Sequence, residues 1–138
     1  MATLVELIEL SHKAKEKAYS PYSNFRVGCA LITKDGKIFT GCNVENVSFG
    51  LSICAERTTL VKAVSEGYQQ FDKMVIASDL KNQVISPCGA CRQFMVEFGD
   101  YDVYLTKPDK TYEKMSSYEL LPKTVIPTHF LNEEKINV

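Results

Sequence analysis

Apolar residues at Leu4, Leu7, Ile8, Ala14 and Ala18 recur at helical spacing behind Thr3 and Glu6, a capping-box pair, and Ser20-Pro21-Tyr22-Ser23 stops the helix they predict. Phe25 to Thr33 then reads as a strand, Lys34-Asp35-Gly36-Lys37 as a turn, and Ile38 to Val44 as its hairpin partner. Glu45, Asn46, Ser48 and Gly50 have loop character. Ile53 to Ser65 follows as a helix with Ala55, Leu60, Val61, Ala63 and Val64 as its apolar positions and Gly67 as terminator. Met74-Val75-Ile76-Ala77 is a continuous apolar run suited to a buried strand. Pro87-Cys88 opens a further helix through Phe94, Met95 and Phe98 to Gly99, Tyr101 to Leu105 is another strand, and Ser117 to Leu121 a helical turn. The order α-β-β-α-β-α-β, ahead of a mostly irregular tail from about residue 122, implies an α/β fold with a mixed sheet covered by helices.

No repeat, low-complexity tract or linker divides the 138 residues, so a single domain over 1–138 is expected. Lys and Arg number 16 against 17 Asp and Glu, a net charge of −1 that argues against a protein working mainly by phosphate neutralisation. The longest small-or-apolar run, Val27 to Ile32, is far too short to span a bilayer, and Met1 to Glu6 lacks the start of a signal peptide. The expectation is a cytoplasmic protein with neither nucleic acid nor membrane as partner.

Five cysteines, at 29, 42, 54, 88 and 91, are an odd number in a chain without an export signal, which favours burial, catalysis or metal binding over disulfides. Cys54 opens one helix; Cys88 and Cys91 open the next in Pro87-Cys88-Gly89-Ala90-Cys91. C-x-x-C lets two thiolates converge from one helical turn, and a third can come from a neighbouring helix start. Helix N-termini favour thiolate over thiol. Three ligands leave a tetrahedral zinc one open position, the catalytic arrangement. Glu56 reaches the same site if Cys54 stands at the irregular helix entrance, and a carboxylate there moves protons between water and substrate. Two other readings stay open. A lone C-x-x-C also suits a redox dithiol, although that leaves Cys54-Ala55-Glu56 without a role. A structural zinc would take Cys29 or Cys42 as fourth ligand, although both fall in strands as small buried residues.

Four ordered motifs carry a resemblance over about Ala18 to Leu121: Tyr19-Ser20-Pro21-Tyr22-Ser23-Asn24-Phe25-Arg26-Val27-Gly28, Gly41-Cys42-Asn43-Val44-Glu45-Asn46, Cys54-Ala55-Glu56-Arg57-Thr58, and Ser86-Pro87-Cys88-Gly89-Ala90-Cys91-Arg92-Gln93. The chain resembles the cytidine deaminases of the small, homotetrameric, three-cysteine zinc class. The resemblance implies a three-layer α/β/α sandwich around a mixed five-stranded sheet and hydrolytic deamination of cytidine and 2′-deoxycytidine in pyrimidine salvage. It implies one Zn²⁺ per chain on Cys54, Cys88 and Cys91, and sites completed across the subunits of a homotetramer. Glu56 matches the proton shuttle, Phe25 an aromatic against the pyrimidine, Asn43 and Glu45 the ribose 3′-hydroxyl pair, and the Ala55 backbone a contact to the base edge. Arg57 is expected beside the sulfurs, draining the net −1 of three thiolates and Zn²⁺, with Arg92 in a similar part. Two positions depart from the family. Phe49 stands where a tyrosine usually reaches the neighbouring subunit's site, and Lys123-Thr124-Val125 lacks an aromatic that usually packs over it, with Phe130 in the tail as a substitute. His12 and His129 lie outside the motifs and read as surface residues.

Overall fold

Alternation along three buried strands decides which helices cover which face. The structure is a computed structural model describing residues 1–136. In chain order it comprises α1 (Leu4–Lys15), β1 (Val27–Thr33), β2 (Ile38–Cys42), a 3-10 turn (Phe49–Leu51), α2 (Ala55–Ser65), β3 (Phe71–Ser78), α3 (Gly89–Val96), β4 (Asp102–Thr106), β5 (Tyr112–Ser116), α4 (Ser117–Leu120) and α5 (Pro127–Leu131). The sheet runs β2-β1-β3-β4-β5, with β3 and β4 parallel and the other neighbours antiparallel. Ala30, Ile32, Val75 and Tyr104 face one way and pack with Leu7 and Ile8 of α1. Their neighbours Cys29, Leu31, Met74, Ile76, Val103 and Leu105 face the other way, against Ala55, Leu60 and Ala63 of α2 and Met95 of α3. Each large aliphatic side chain fully removed from water here contributes about 1.5–3 kcal/mol. The result is the expected three-layer α/β/α sandwich around a mixed five-stranded sheet. No helix among the described residues is long and apolar enough to cross a membrane.

The regular helix ends at Lys15; the N–H groups of Lys17 and Ala18 close tighter turns on Ala14 O and Lys15 O, and from Tyr19 the backbone pairs elsewhere. Tyr19 N–H donates to Asn43 O (3.0 Å), and Glu45 N–H to Tyr19 O (2.8 Å). The fifth strand is absent from the apolar pattern because Tyr112 to Lys114 are exposed. Its ladder to β4, from Asp102↔Ser116 to Thr106↔Tyr112, holds it, with Tyr112 edge-on to Tyr104 at 5.2 Å between ring centres. Glu113 and Lys114 suit an open sheet edge, where charge discourages pairing with another chain. The tail read as irregular contains α5, opened by Pro127 in the first turn, where the missing N–H costs nothing. His12 is not a surface residue: it is half-buried, its Nε2 lies 3.2 Å from Thr106 Oγ1, and burial lowers its pKa. His129 is exposed, as expected.

Gly28 lets α1 lie directly on β1. A Cβ there would stand 2.1 Å from Ser11 O and 2.5 Å from Lys15 N, both backbone atoms of the helix. Gly28→Ala therefore pushes α1 off the sheet and destabilises the fold by about 3 kcal/mol. Denaturant titration checks this, and a loss below about 1 kcal/mol would refute the close approach.

Candidate active site

Two helix entrances meet. Cys54 is the N-cap of α2 with extended backbone (φ −73°, ψ 157°), and Cys88 is the N-cap of α3 (φ −67°, ψ 169°). Neither helix start carries a side-chain cap, so first-turn N–H groups and the positive dipole end are left to act on the sulfurs. Cys91 follows within the first turn of α3, and the three Sγ atoms lie within 4.8 Å of one another, Cys54 and Cys88 at 3.6 Å. With Zn–S near 2.3 Å, the edge of a tetrahedral site is about 3.8 Å. The sulfurs thus fit a zinc ion. Cys29 and Cys42 are not in the group: Cys29 is fully buried in β1, where burial pushes its thiol up, and Cys42 is half-buried at the end of β2. A closed four-cysteine site has no fourth ligand among the described residues.

Without a metal, the three sulfurs hydrogen-bond to one another. The hydrogen bond with the Cys91 thiol lowers Cys54 to about 5 against the opposing effect of burial, with help from Arg57 and the Cys88 thiol. Cys91 is pushed up, because it donates to that thiolate and is buried. Arg57 Nη2 is 3.8 Å from Cys54 Sγ and 3.4 Å from Ser52 O, so it stands beside the ligand cluster as expected. Its Nε is buried without a partner.

Glu56, the second residue of α2, is 4% exposed, and burial pushes its carboxyl up to about 7. Its Oε1 is buried with no hydrogen-bond partner. A buried carboxyl oxygen left unsatisfied costs about 1–3 kcal/mol, which a bound water or substrate donor at this spot would offset. Cys54, Ala55, Glu56 and Cys88 line a cavity of about 310 Å³ together with Phe25, Asn43 and Glu45. Larger clefts lie elsewhere, but none contains the sulfurs or Glu56. Ser23, Val27, Ile85 and Ser86 complete the lining. Sequence reasoning gave these four no role. Ser23 and Ser86 stood inside the quoted motifs, but Val27 and Ile85 are ordinary apolar residues with no signal of their own.

Local folding presents the substrate-side residues. Asn24 takes a left-handed conformation (φ 56°), which asparagine tolerates, and its N–H closes a turn on Ser20 O (2.9 Å). Phe25 follows directly. Asn43 brackets that segment, accepting from Val27 N–H (2.9 Å) and donating through Nδ2 to Phe25 O (2.9 Å). Glu45 Oε1 accepts from the N–H groups of Tyr22 (3.0 Å) and Ser23 (3.1 Å), and Oε2 from the Ser23 hydroxyl. These bonds hold its carboxyl below the usual range, the Ser23 hydroxyl contributing most. Asp79 anchors the start of β1. Partial burial pushes its carboxyl up, but Arg26 and Lys15 outweigh that and hold it at about 2.

Phe49 and Arg92 stand apart from the sulfurs and Glu56. Phe49 does not enter the cavity of its own chain; it is 71% exposed on the 3-10 turn, against Tyr22 at 5.6 Å between ring centres. Arg92 has no described hydrogen bond to sulfur. Nε donates to Pro87 O (2.7 Å), Nη1 to Leu120 O (2.6 Å) and Nη2 to Ser86 Oγ (2.9 Å), because the turn of α3 points it at the preceding loop instead. Val125 is exposed, with its carbonyl held by Gln93 Nε2 at 2.9 Å.

The family model described as the cytidine and deoxycytidylate deaminase zinc-binding region matches residues 1–107. A probable cytidine deaminase of Dictyostelium discoideum is 57% identical over 119 residues, covering 86% of this chain and 81% of that one. A cytidine deaminase of Sporosarcina psychrophila is 47% identical over 119 residues, covering 85% and 87%. The crystal structure of cytidine deaminase from Burkholderia pseudomallei superimposes with a TM-score of 0.86 at 47% identity, covering 90% of this chain and all of that one.

Proposed function

The chain belongs to the cytidine and deoxycytidylate deaminase family, and from that premise we propose that it hydrolyses the 4-amino group of cytidine and 2′-deoxycytidine. Water replaces the exocyclic amine, giving the uridine product and ammonia. The observation that carries this reading is one cavity lined by Cys54 and Cys88 of the three-sulfur cluster, by Glu56 with its buried, unpartnered Oε1, and by the aromatic Phe25. Cys54, Cys88 and Cys91 would hold the single zinc ion. When bound, zinc supplies a Lewis acid that brings the pKa of water to about 7.

The chain's own residues do the rest. Glu56 accepts a proton from the attacking water and delivers it to ring N3 as C4 becomes tetrahedral, then takes the second proton from the new C4 hydroxyl and passes it to the departing amine, leaving the 4-carbonyl and ammonia. A carboxyl pushed up to about 7 by burial suits both acceptance and donation near neutral pH. Phe25 packs against the pyrimidine, and the Ala55 backbone meets the base edge. Asn43 and Glu45 bind the ribose 3′-hydroxyl, with their carboxamide and carboxylate already fixed by backbone partners. Preorganisation of this kind lowers the ordering cost of binding.

The same reading makes the chain one domain over 1–138, at work in the cytoplasm in pyrimidine salvage. It assembles as a homotetramer with sites completed across subunits. Val47, Phe49 and Leu51 support that assembly: they are 76%, 71% and 64% exposed on the segment beside the cavity, an apolar surface that favours cover. Phe49 is the residue for a neighbour's site.

Ultraviolet-monitored turnover of the zinc-replete protein tests the proposal, with cytidine and free cytosine run in parallel. Turnover of cytidine alone is expected and supports the ribose contacts. Silence on both, with one zinc bound per chain, would discard cytidine as substrate.

A further inference from the structure

Beyond Asp79 at its start, the loop that delivers Cys88 has little polar to hold it. Ten residues separate the end of β3 at Ser78 from the start of α3 at Gly89, without regular structure. Among the described residues, 81–87 make no backbone–backbone hydrogen bond. Apolar anchorage comes from Val84 and Ile85, partly buried against the core. The hydrogen bonds this stretch does make converge on one side chain: Arg92 takes Pro87 O through Nε and Ser86 Oγ through Nη2. The remaining arm, Nη1, reaches across to Leu120 O at the end of α4. Arg92 N–H also donates to Cys88 O (3.0 Å), so its side chain holds the peptide before Cys88 and its backbone the peptide after it.

The geometry points to Arg92 as a positioning residue for the metal site, a strut that fixes the Pro87–Cys88 peptide against the buried end of α4 and so sets where the Cys88 sulfur stands. The inference rests on zinc binding by Cys54, Cys88 and Cys91. A planar guanidinium bonds three acceptors at fixed angles, whereas a lysine ammonium at that distance serves them one at a time. Cys88 is the exposed member of the sulfur group, so packing does little to place it. Groups behind a metal ligand that fix its orientation typically change metal affinity 10–100-fold when removed.

The test compares parent, Arg92→Lys, Arg92→Gln and Ser86→Ala, each loaded with one zinc per chain. Zinc release to excess chelator is followed well below the melting temperature, and the visible d–d spectrum of the cobalt-substituted protein is recorded. Arg92→Gln is expected to release zinc 10–100-fold faster with an altered cobalt spectrum, Arg92→Lys and Ser86→Ala to fall between it and the parent, and excess zinc to restore lost turnover. Melting of the zinc-free proteins separates this from a general folding defect, which would leave the cobalt spectrum of the folded fraction unchanged. Release within twofold of the parent, with an unchanged spectrum, would overturn the assignment. A parent that binds no zinc would instead overturn the deaminase reading beneath it.

Discussion

Glu56→Gln is expected to keep one zinc per chain and lose turnover of cytidine by about 10²–10⁴-fold, the range general acid–base catalysis supplies. The substitution is nearly isosteric, so the 4% exposed position stays filled and the sulfurs are undisturbed. What disappears is a group able to take a proton and return it. A carboxamide can still hydrogen-bond ring N3, so KM should change much less than kcat. Stability gives an independent reading in the zinc-free protein. The folded-state pKa of Glu56 is raised by burial to about 7, above the roughly 4.3 of an unfolded chain. A group raised in this way contributes stability that is intact below the unfolded value and is lost as pH rises through the folded one. Zinc-free Glu56→Gln should therefore match the parent near pH 4 and exceed it near pH 8. Turnover within tenfold of the parent, in a variant shown to hold zinc, would remove Glu56 from proton transfer.

Parts of this fold are legible in the sequence because one physical signal dominates there. The run from Val27 to Thr33 and the apolar stretch in Phe71–Ser78 are buried on both faces, so continuous hydrophobicity marks them as central strands. The sulfur cluster is legible because C-x-x-C and a cysteine two places before Glu56 both fall at helix entrances, where the backbone can aim them together. The fifth strand was not, since Tyr112 to Lys114 face solvent and the ladder to β4 is a long-range property that leaves no periodic trace. Arg92 was misplaced for a related reason. Adjacency to Cys91 in sequence suggested adjacency to charge, whereas its acceptors lie in the preceding loop and, 28 residues onward, at Leu120. Asn43 and Glu45 were nominated by resemblance alone, and their hydrogen bonds to the 22–27 segment give them a structural part that spacing does not reveal.

Cys88→Ala separates what the metal contributes from what packing contributes. Cys91 is fully buried, so truncating it opens a void as well as removing a ligand. Cys88 is exposed, and its loss alone should cost the zinc-free fold little. Without it two sulfurs remain, a donor set that no longer completes the three-thiolate site. The variant should therefore retain less than about a tenth of a zinc per chain after dialysis and show no measurable turnover, because removing a ligand strips the cation that makes water acidic. The stability difference should depend on zinc. A ligand held at 100–1,000 times its Kd stabilises the folded state by about 2.7–4.1 kcal/mol, which at this chain length is roughly 10 °C in melting temperature. The parent should gain that increment when zinc is added and lose it to chelator. Cys88→Ala should melt at the temperature of the zinc-free parent with or without the metal. Stoichiometric zinc in the variant would strike Cys88 from the ligands. A fall in the zinc-free melting temperature as large as the zinc-bound one would mean that Cys88 holds the fold rather than the ion.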